Sequence, residues 1–394
     1  MQKTAFSGRY GFVRPDVNLG NWRTRPYSVW SFQNVGELVS SAEISTSATI
    51  EDETLESLGP LLGESIDTGS GTETVLGFLR RSNTDVLVVM KAGAFVGEYA
   101  APAADPSAPH LVFSISKSLT AVLAGVLQNE RLIDPAEPVT RYVSEAKGTA
   151  YDGATVQQVL DMRVSLDFVE AYLDPESDFA RYRRAMLWNP MRASDKVETL
   201  REVILSLPKG DGPHGGPFRY YSPNSDLLGI IVERASGLRY ADLLREKLWI
   251  PLMARGRCAV TVDAEGTARA AGGVSMTARD LARVGEMMRN GGMAGSRAIV
   301  SERWVRDTLS AGDPAAWKAG DFAHLLQNGS YRNKWYQSGF PNGAFMAIGI
   351  HGQWLYVDPA REVTIVRLSS QHQPVDDPLD QQALRFYQAI AAML

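Results

Sequence analysis

Apolar and polar residues alternate with two different periods along this chain, and the change of period divides it. Asp85-Val-Leu-Val-Val-Met90 and Ala94-Phe-Val-Gly-Glu-Tyr99 flank Lys91-Ala-Gly93, the pattern of two strands joined by a short glycine turn. The apolar run Leu111-Val-Phe113 then gives way to helical spacing at Leu119, Val122, Leu123, Val126 and Leu127, which predicts a helix from Ser114 to about residue 130. Pro135 and Pro138 open a loop, and a second helix is expected over about residues 155–162. Residues 165–215 read as mixed and loop-rich, ending in the flexible Lys209-Gly-Asp-Gly-Pro-His-Gly-Gly-Pro217. Helices are expected over about 223–236, 239–247 and 277–290. From about Trp335 to Val366 the alternation is that of strands, and a helix over about 379–394 closes the chain. Residues 1 to about 40 look irregular, with Trp22 and Trp30 as anchors onto the body, and 41–60 reads as a solvated loop.

Strands near both ends with helices between them predict one sheet built from both termini and a helical insertion. That is an α+β plan rather than alternating βαβ. Three parts are expected: residues 1–110 with the first sheet strands, a mostly helical part over 111–270, and a return to the sheet over 271–394. A chain of 394 residues is long enough for this. Net charge is −5 with no long basic block, which disfavours a nucleic-acid partner. The single cysteine, Cys258, excludes an intrachain disulfide and reads as a buried small side chain in a protein of a reducing compartment. Met1 to Asn21 carries no apolar core of signal-peptide length, and no later run is long enough to span a bilayer. A cytoplasmic location without a membrane partner is therefore expected.

Candidate chemistry begins at Ser114-Ile-Ser-Lys117, where the apolar run meets the helix. A serine three residues before a lysine puts both side chains on one helix face. The amine can then take the proton of a hydroxyl that a lone serine does not lose near neutral pH. Ser116 lies about 100° round the helix from Lys117 and is the poorer nucleophile. A second segment is Phe218-Arg-Tyr-Tyr-Ser-Pro-Asn-Ser-Asp-Leu-Leu-Gly229. A phenol near an ammonium loses its proton more readily and can pass one between groups. The alternative is that Tyr220 and Tyr221 pack ahead of a helix capped near Ser222. A third segment is Ala347-Ile-Gly-Ile-His-Gly-Gln353, where a strand glycine admits a ligand close to the backbone. The alternative is an ordinary strand.

These three segments together resemble those of the penicillin-recognising serine hydrolases: class C β-lactamases, D-Ala-D-Ala peptidases and family VIII esterases. The family's Ser-x-x-Lys, Tyr-x-Ser and Lys-Thr-Gly-type motifs are matched by Ser114 with Lys117, Tyr220 with Ser222, and Ala347-Ile-Gly349. The spacing from Tyr220 to Leu227-Leu-Gly229 and the segment Gly272-Gly-Val-Ser-Met-Thr-Ala-Arg-Asp-Leu-Ala282 also resemble the family. Within it, the nylon-oligomer hydrolases, amidases acting on 6-aminohexanoate oligomers, are the most similar branch, through Ser-x-Ser-Lys-Ser-Leu and Ile-Gly-Ile-His-Gly-Gln. The resemblance implies an antiparallel sheet flanked by helices plus a mostly helical domain. It implies amide or ester hydrolysis through an acyl-enzyme, with Ser114 as nucleophile, Lys117 or Tyr220 as base, and the N–H groups of Ser114 and Ile350 as oxyanion hole. Tyr172, Ser222, Gly349 and His351 are the expected substrate contacts. A packing role is an alternative for Tyr172, and a satisfied strand histidine for His351.

Ala347 stands where the family's β-lactam-binding lysine would be, which disfavours a penicillinase. Arg181, Arg183 and Arg184 would repel an ammonium and favour a neutral or anionic substrate, unless they form a solvated helical face. The five histidines (110, 214, 324, 351, 372) are scattered, so neither metal nor cofactor is expected. There is no Gly-x-Ser-x-Gly elbow, P-loop or dinucleotide fingerprint. The expected partner is a small-molecule amide or ester, and the expected assembly a monomer or homodimer. A silent sensor of the same fold and an acyltransferase remain alternatives.

Overall fold

The computed structural model describes residues 5–44 and 52–394. Its main sheet has seven antiparallel strands and joins the two ends of the chain. Spatial order runs Ser330–Arg332, Trp335–Gln337, Phe345–Gly349, Gln353–Asp358, Val363–Ser369, Thr84–Lys91, Ala94–Ala100. The 84–91 strand pairs Val88 with Val366 on one side and with Glu98 on the other. It sits inside the sheet, and a run of apolar side chains is what a strand covered on both faces requires.

Strand period 2 sorts those side chains. Val86, Val88 and Met90 join one core with Leu355, Val357 and Val366. Leu87 and Val89 join another with Trp354, Tyr356 and Ile365. The helix Ala278–Arg289 covers the first face and the closing helix Asp377–Met393 the second. Phe78 stacks on Phe386 at 4.4 Å, and Tyr356 on Tyr387 at 5.4 Å. The α+β plan and the sheet built from both termini are both present. The expected helices appear as Ile115–Asn129, Val156–Leu160, Ser222–Ser236, Tyr240–Leu244 and Ala278–Arg289.

Several elements depart from the expectation. Of the loop expected over 41–60, Ser41–Ile44 is a strand, and residues 45–51 lie outside the described residues. That strand belongs to a second sheet of four short strands, in the order Ser41–Ile44, Cys258–Thr261, Val274–Met276, His110–Leu111. Strands of two to four residues show no readable alternation, because their pairing is set by residues far away in sequence. The 165–215 stretch contains two helices, Asp178–Ala185 and Leu200–Ser206. Ser177 and the Thr199–Glu202 capping box start them, and those caps were legible signals. Trp22 and Trp30 are buried as expected, and the Trp22 indole donates to the Trp188 carbonyl. Cys258 is buried on the small sheet.

One glycine governs how closely helix and sheet approach. A Cβ on Gly285 would lie 2.6 Å from Leu355 Cδ1 and 2.7 Å from Thr364 Cγ2. Gly285→Ala therefore overpacks the interface and should lower unfolding free energy by about 1–3 kcal/mol. Urea denaturation checks this, and an unchanged midpoint would show that the helix can shift without cost.

Candidate active site

The site is assembled where the small sheet, the helical insertion and the main sheet meet. His110–Leu111 ends the small sheet, and Phe113 turns the chain with φ 45°, a left-handed conformation rare for a bulky residue. Strain of that kind persists where surrounding packing holds it, and here it aims Ser114 out of the turn. Ser114 caps the helix Ile115–Asn129, yet its hydroxyl makes no capping bond. Instead Lys117 Nζ lies 2.8 Å from Ser114 Oγ. Ser116 is buried and accepts from the Val274 N–H at 3.1 Å, so it is occupied structurally.

Lys117 is only 2 % exposed, and its amine also donates to the Ala271 carbonyl at 2.7 Å. Burial pushes its pKa down to about 7, against the opposing pull of the Glu170 carboxylate. The amine is thus part free base at neutral pH. Tyr220 lies over it, with Nζ 4.9 Å from the ring centroid. The Tyr220 N–H donates to Asp321 at 2.8 Å, and the ring packs on Phe322 at 5.1 Å. The Ser114 and Tyr336 hydroxyls beside its own pull its pKa down. Burial and Glu170 nevertheless push this phenol well above its ordinary value, so it keeps its proton at neutral pH. Ser222 begins the helix that follows, and its N–H donates to Glu170.

The third segment reaches the same place. Phe345–Gly349 ends beside Ser114, where a Gly349 Cβ would lie 2.7 Å from the Val112 carbonyl oxygen and 3.1 Å from Ser114 N. Only glycine allows this approach. Gly349 and Ile350 line a pocket whose walls include Tyr172, Tyr220, Phe322 and Tyr336. Ala347 is buried in the strand. Tyr172 lies in the pocket wall, with its hydroxyl donating to Glu170 at 2.6 Å.

Two expectations need correction. His351 occupies the turn after the strand, with φ 61°, and is 4 % exposed. Its Nδ1 lies 2.8 Å from the Gln371 carbonyl oxygen, and its ring packs against both Phe32 and Phe113. Burial lowers its pKa to about 3. It is a neutral packing residue and does not line the pocket. The three arginines also leave the pocket wall. Arg181 pairs with Glu198 at 2.7 Å and Arg184 with Asp195 at 3.0 Å, while Arg183 is buried and donates to the Tyr172 carbonyl at 2.8 Å. They are bound to partners of their own, and the argument for an anionic substrate falls with them. The charged residues lining the pocket are the carboxylates Asp377 and Asp380, with His324 3.4 Å from Asp377.

Glu170, Tyr336 and the two aspartates were not singled out by sequence reasoning. Glu170 lies in a loop without periodicity, and Tyr336 in a strand of three residues. Neither carries a motif. Among the described residues, no group of three His, Cys, Asp or Glu is placed to hold a metal ion, and no helix is long and apolar enough to cross a membrane.

The sequence pattern of the β-lactamase family matches residues 79–389. A 6-aminohexanoate-dimer hydrolase from Paenarthrobacter ureafaciens is 39 % identical over 365 residues, which is 92 % of this chain and 91 % of that protein. A Bacillus anthracis structure with the provisional name 6-aminohexanoate-dimer hydrolase superposes with a TM-score of 0.88 at 24 % identity, covering 97 % of this chain and 98 % of its own. A class C β-lactamase superposes with a TM-score of 0.59 at 16 % identity over 81 % of this chain and 94 % of its own. The last two likenesses are likenesses of fold.

The burial of Lys117 generates a direct prediction. In protein carrying 13C-labelled lysine, the Lys117 Cε resonance should titrate near pH 7, whereas exposed lysines titrate near about 10.4. A Lys117 midpoint above pH 9 would mean that the amine is solvated.

Proposed function

The chain belongs to the β-lactamase family of serine hydrolases, and from that premise we propose that it cleaves amide or ester bonds of small molecules through an acyl-enzyme on Ser114. The observation that carries this reading is the contact of Lys117 Nζ with Ser114 Oγ at 2.8 Å inside a buried site. Ser114 Oγ attacks the carbonyl carbon as its proton passes to the free amine of Lys117. Burial favours Lys117 over Tyr220 as the base, because it lowers the amine and raises the phenol. Tyr220 keeps its proton and is placed to give it to the leaving amine or alcohol. The N–H groups of Ser114 and Ile350 hold the oxyanion, and the helix N-terminus at Ser114 favours the negative charge. The Lys117 ammonium then restores the Tyr220 proton; water attacks the acyl-enzyme ester as its proton passes to the Lys117 amine, which delivers it to Ser114 Oγ as the acid departs. Tyr172 and Gly349 shape the substrate's seat, and Ser222, buried at the start of its helix, acts through its N–H bond to Glu170 rather than on the substrate. A reducing, cytoplasmic location accords with the single buried cysteine.

The pocket also bears on substrate. Its walls are aromatic and aliphatic, and its charge comes from Asp377 and, in part, from Asp380. Burial raises the Asp380 carboxyl to about 7, although Arg367 pulls it down. A substrate with an apolar stem and an ammonium fits this wall better than an anionic one. The relative's activity on a 6-aminohexanoate dimer, as its name states, points the same way.

Two measurements test these readings. A fluorophosphonate probe should label Ser114, and Lys117→Ala should lower kcat/KM and labelling at least about 10²-fold, the usual worth of a general base. In the wild type, kcat/KM should fall as pH drops through about 7, because Lys117 then takes up its proton. No labelling at any pH would favour a silent binding protein. For the substrate, an N-(6-aminohexanoyl) amide should be turned over faster than the matching N-adipoyl amide, which ends in a carboxylate. The reverse order would reject the ammonium reading.

A further inference from the structure

Behind Lys117 lies a buried ion pair that the proposed chemistry does not touch. Asp226 is fully buried in the helix Ser222–Ser236, and Arg269, 5 % exposed, approaches from the neighbouring loop. Arg269 Nη1 donates to Asp226 Oδ2 and to the Tyr182 hydroxyl, and that hydroxyl donates to the same Asp226 oxygen. The other Asp226 oxygen accepts from the Ala271 N–H at 2.7 Å. Ala271 is the residue whose carbonyl holds the Lys117 amine. The chain of contacts thus runs Arg269, Asp226, Ala271, Lys117, Ser114. A Cβ on Gly229 would lie 2.5 Å from Ala270 Cβ, so the glycine one turn beyond Asp226 lets this loop press against the helix.

We propose that Asp226 and Arg269 are positioning residues for Lys117: they hold the Ala271 carbonyl against the amine, and their opposed charges balance one another at the site where the amine takes up its proton. This rests on the reading of Lys117 as the base. Lys117 is faced by Ser114 on its own helix, by Tyr220, by Glu170, by Asp226 and Arg269, and by Lys334 from the turn before the strand Trp335–Gln337. The Asp226 charge raises its proton affinity and the Arg269 charge lowers it. Removing one charge leaves the other uncompensated beside the amine, while Glu170 and Lys334 stay as they were.

The test is a charge-swap series in the full-length protein. Asp226→Asn should move the Lys117 titration, read by NMR of 13C-lysine, to lower pH, and Arg269→Gln should move it to higher pH. The double variant D226N/R269Q should bring the midpoint back to within about half a unit of the wild type. It should still lower kcat at least tenfold with KM little changed, because a neutral amide no longer fixed by Arg269 holds the Ala271 N–H more weakly than the carboxylate does. Tyr182→Phe keeps both charges and should leave the midpoint in place. Shifts of the two single variants in the same direction, or a folded double variant with wild-type kcat, would overturn the proposal. Should the single variants fail to fold, as the loss of one partner from a buried pair can cause, the double variant decides through kcat. NMR reads the lysine whether or not it is the base, and the pH–rate profile with Lys117→Ala tests that separately.

Discussion

The site depends on keeping an amine dry. In water a lysine amine holds its proton up to about pH 10.4 and cannot take one from a serine at neutral pH. Lys117 escapes this because desolvation penalises its charged form, and every wall around it serves that end. The same burial acts with opposite sign on acids, so Tyr220, Tyr172 and Tyr336 all keep their protons. Burial therefore lowers the proton affinity of the one amine and raises that of the phenols around it. Glu170 is the counterweight. It attracts the ammonium, and its bonds to Tyr172 and Ser222 fix it in the wall.

Dryness requires close approach, and glycines supply it where three parts of the chain converge. Gly349 brings the main sheet against the turn that carries Ser114, and Gly229 lets the Arg269–Ala271 loop meet the helix that carries Asp226. Gly285 seats a helix on the main sheet itself. Phe113 adds a strained turn that only dense packing can sustain. The geometry of Ser114 is thus set from both sheets, although the residue belongs to neither.

How much of this was legible follows from range. Ser114 and Lys117 share one helix turn, so their meeting could be read from spacing alone. The central strand Thr84–Lys91 and its hairpin were equally local. Tyr220, Tyr172 and Gly349 came from motif likeness, and the fold brings them to the same pocket. What stayed hidden is contact without local pattern. Glu170 sits in an aperiodic loop, and Asp226 looks like one polar residue at a helix start. His351 follows a pocket residue in sequence, yet the turn at φ 61° swings it into the aromatic core behind. The arginines of the helix Asp178–Ala185 showed their charge in the sequence but not their partners, Glu198 and Asp195, which arrive from the following loop.

That last point bears on how such a site changes its substrate without changing its chemistry. The reacting groups are enclosed by buried polar contacts, so altering one disturbs the others. The far wall is built differently. Ala347 puts an uncharged side chain at a buried strand position, and the pocket's charge sits at the start of the helix Asp377–Met393. Asp377 there is exposed and belongs to no strand of either sheet. An exchange at such a position costs little stability, since surface substitutions away from packed networks are usually within about ±0.5 kcal/mol. Selectivity can therefore drift at this edge of the pocket, while the Lys117 amine and Ser114 hydroxyl stay held by the core.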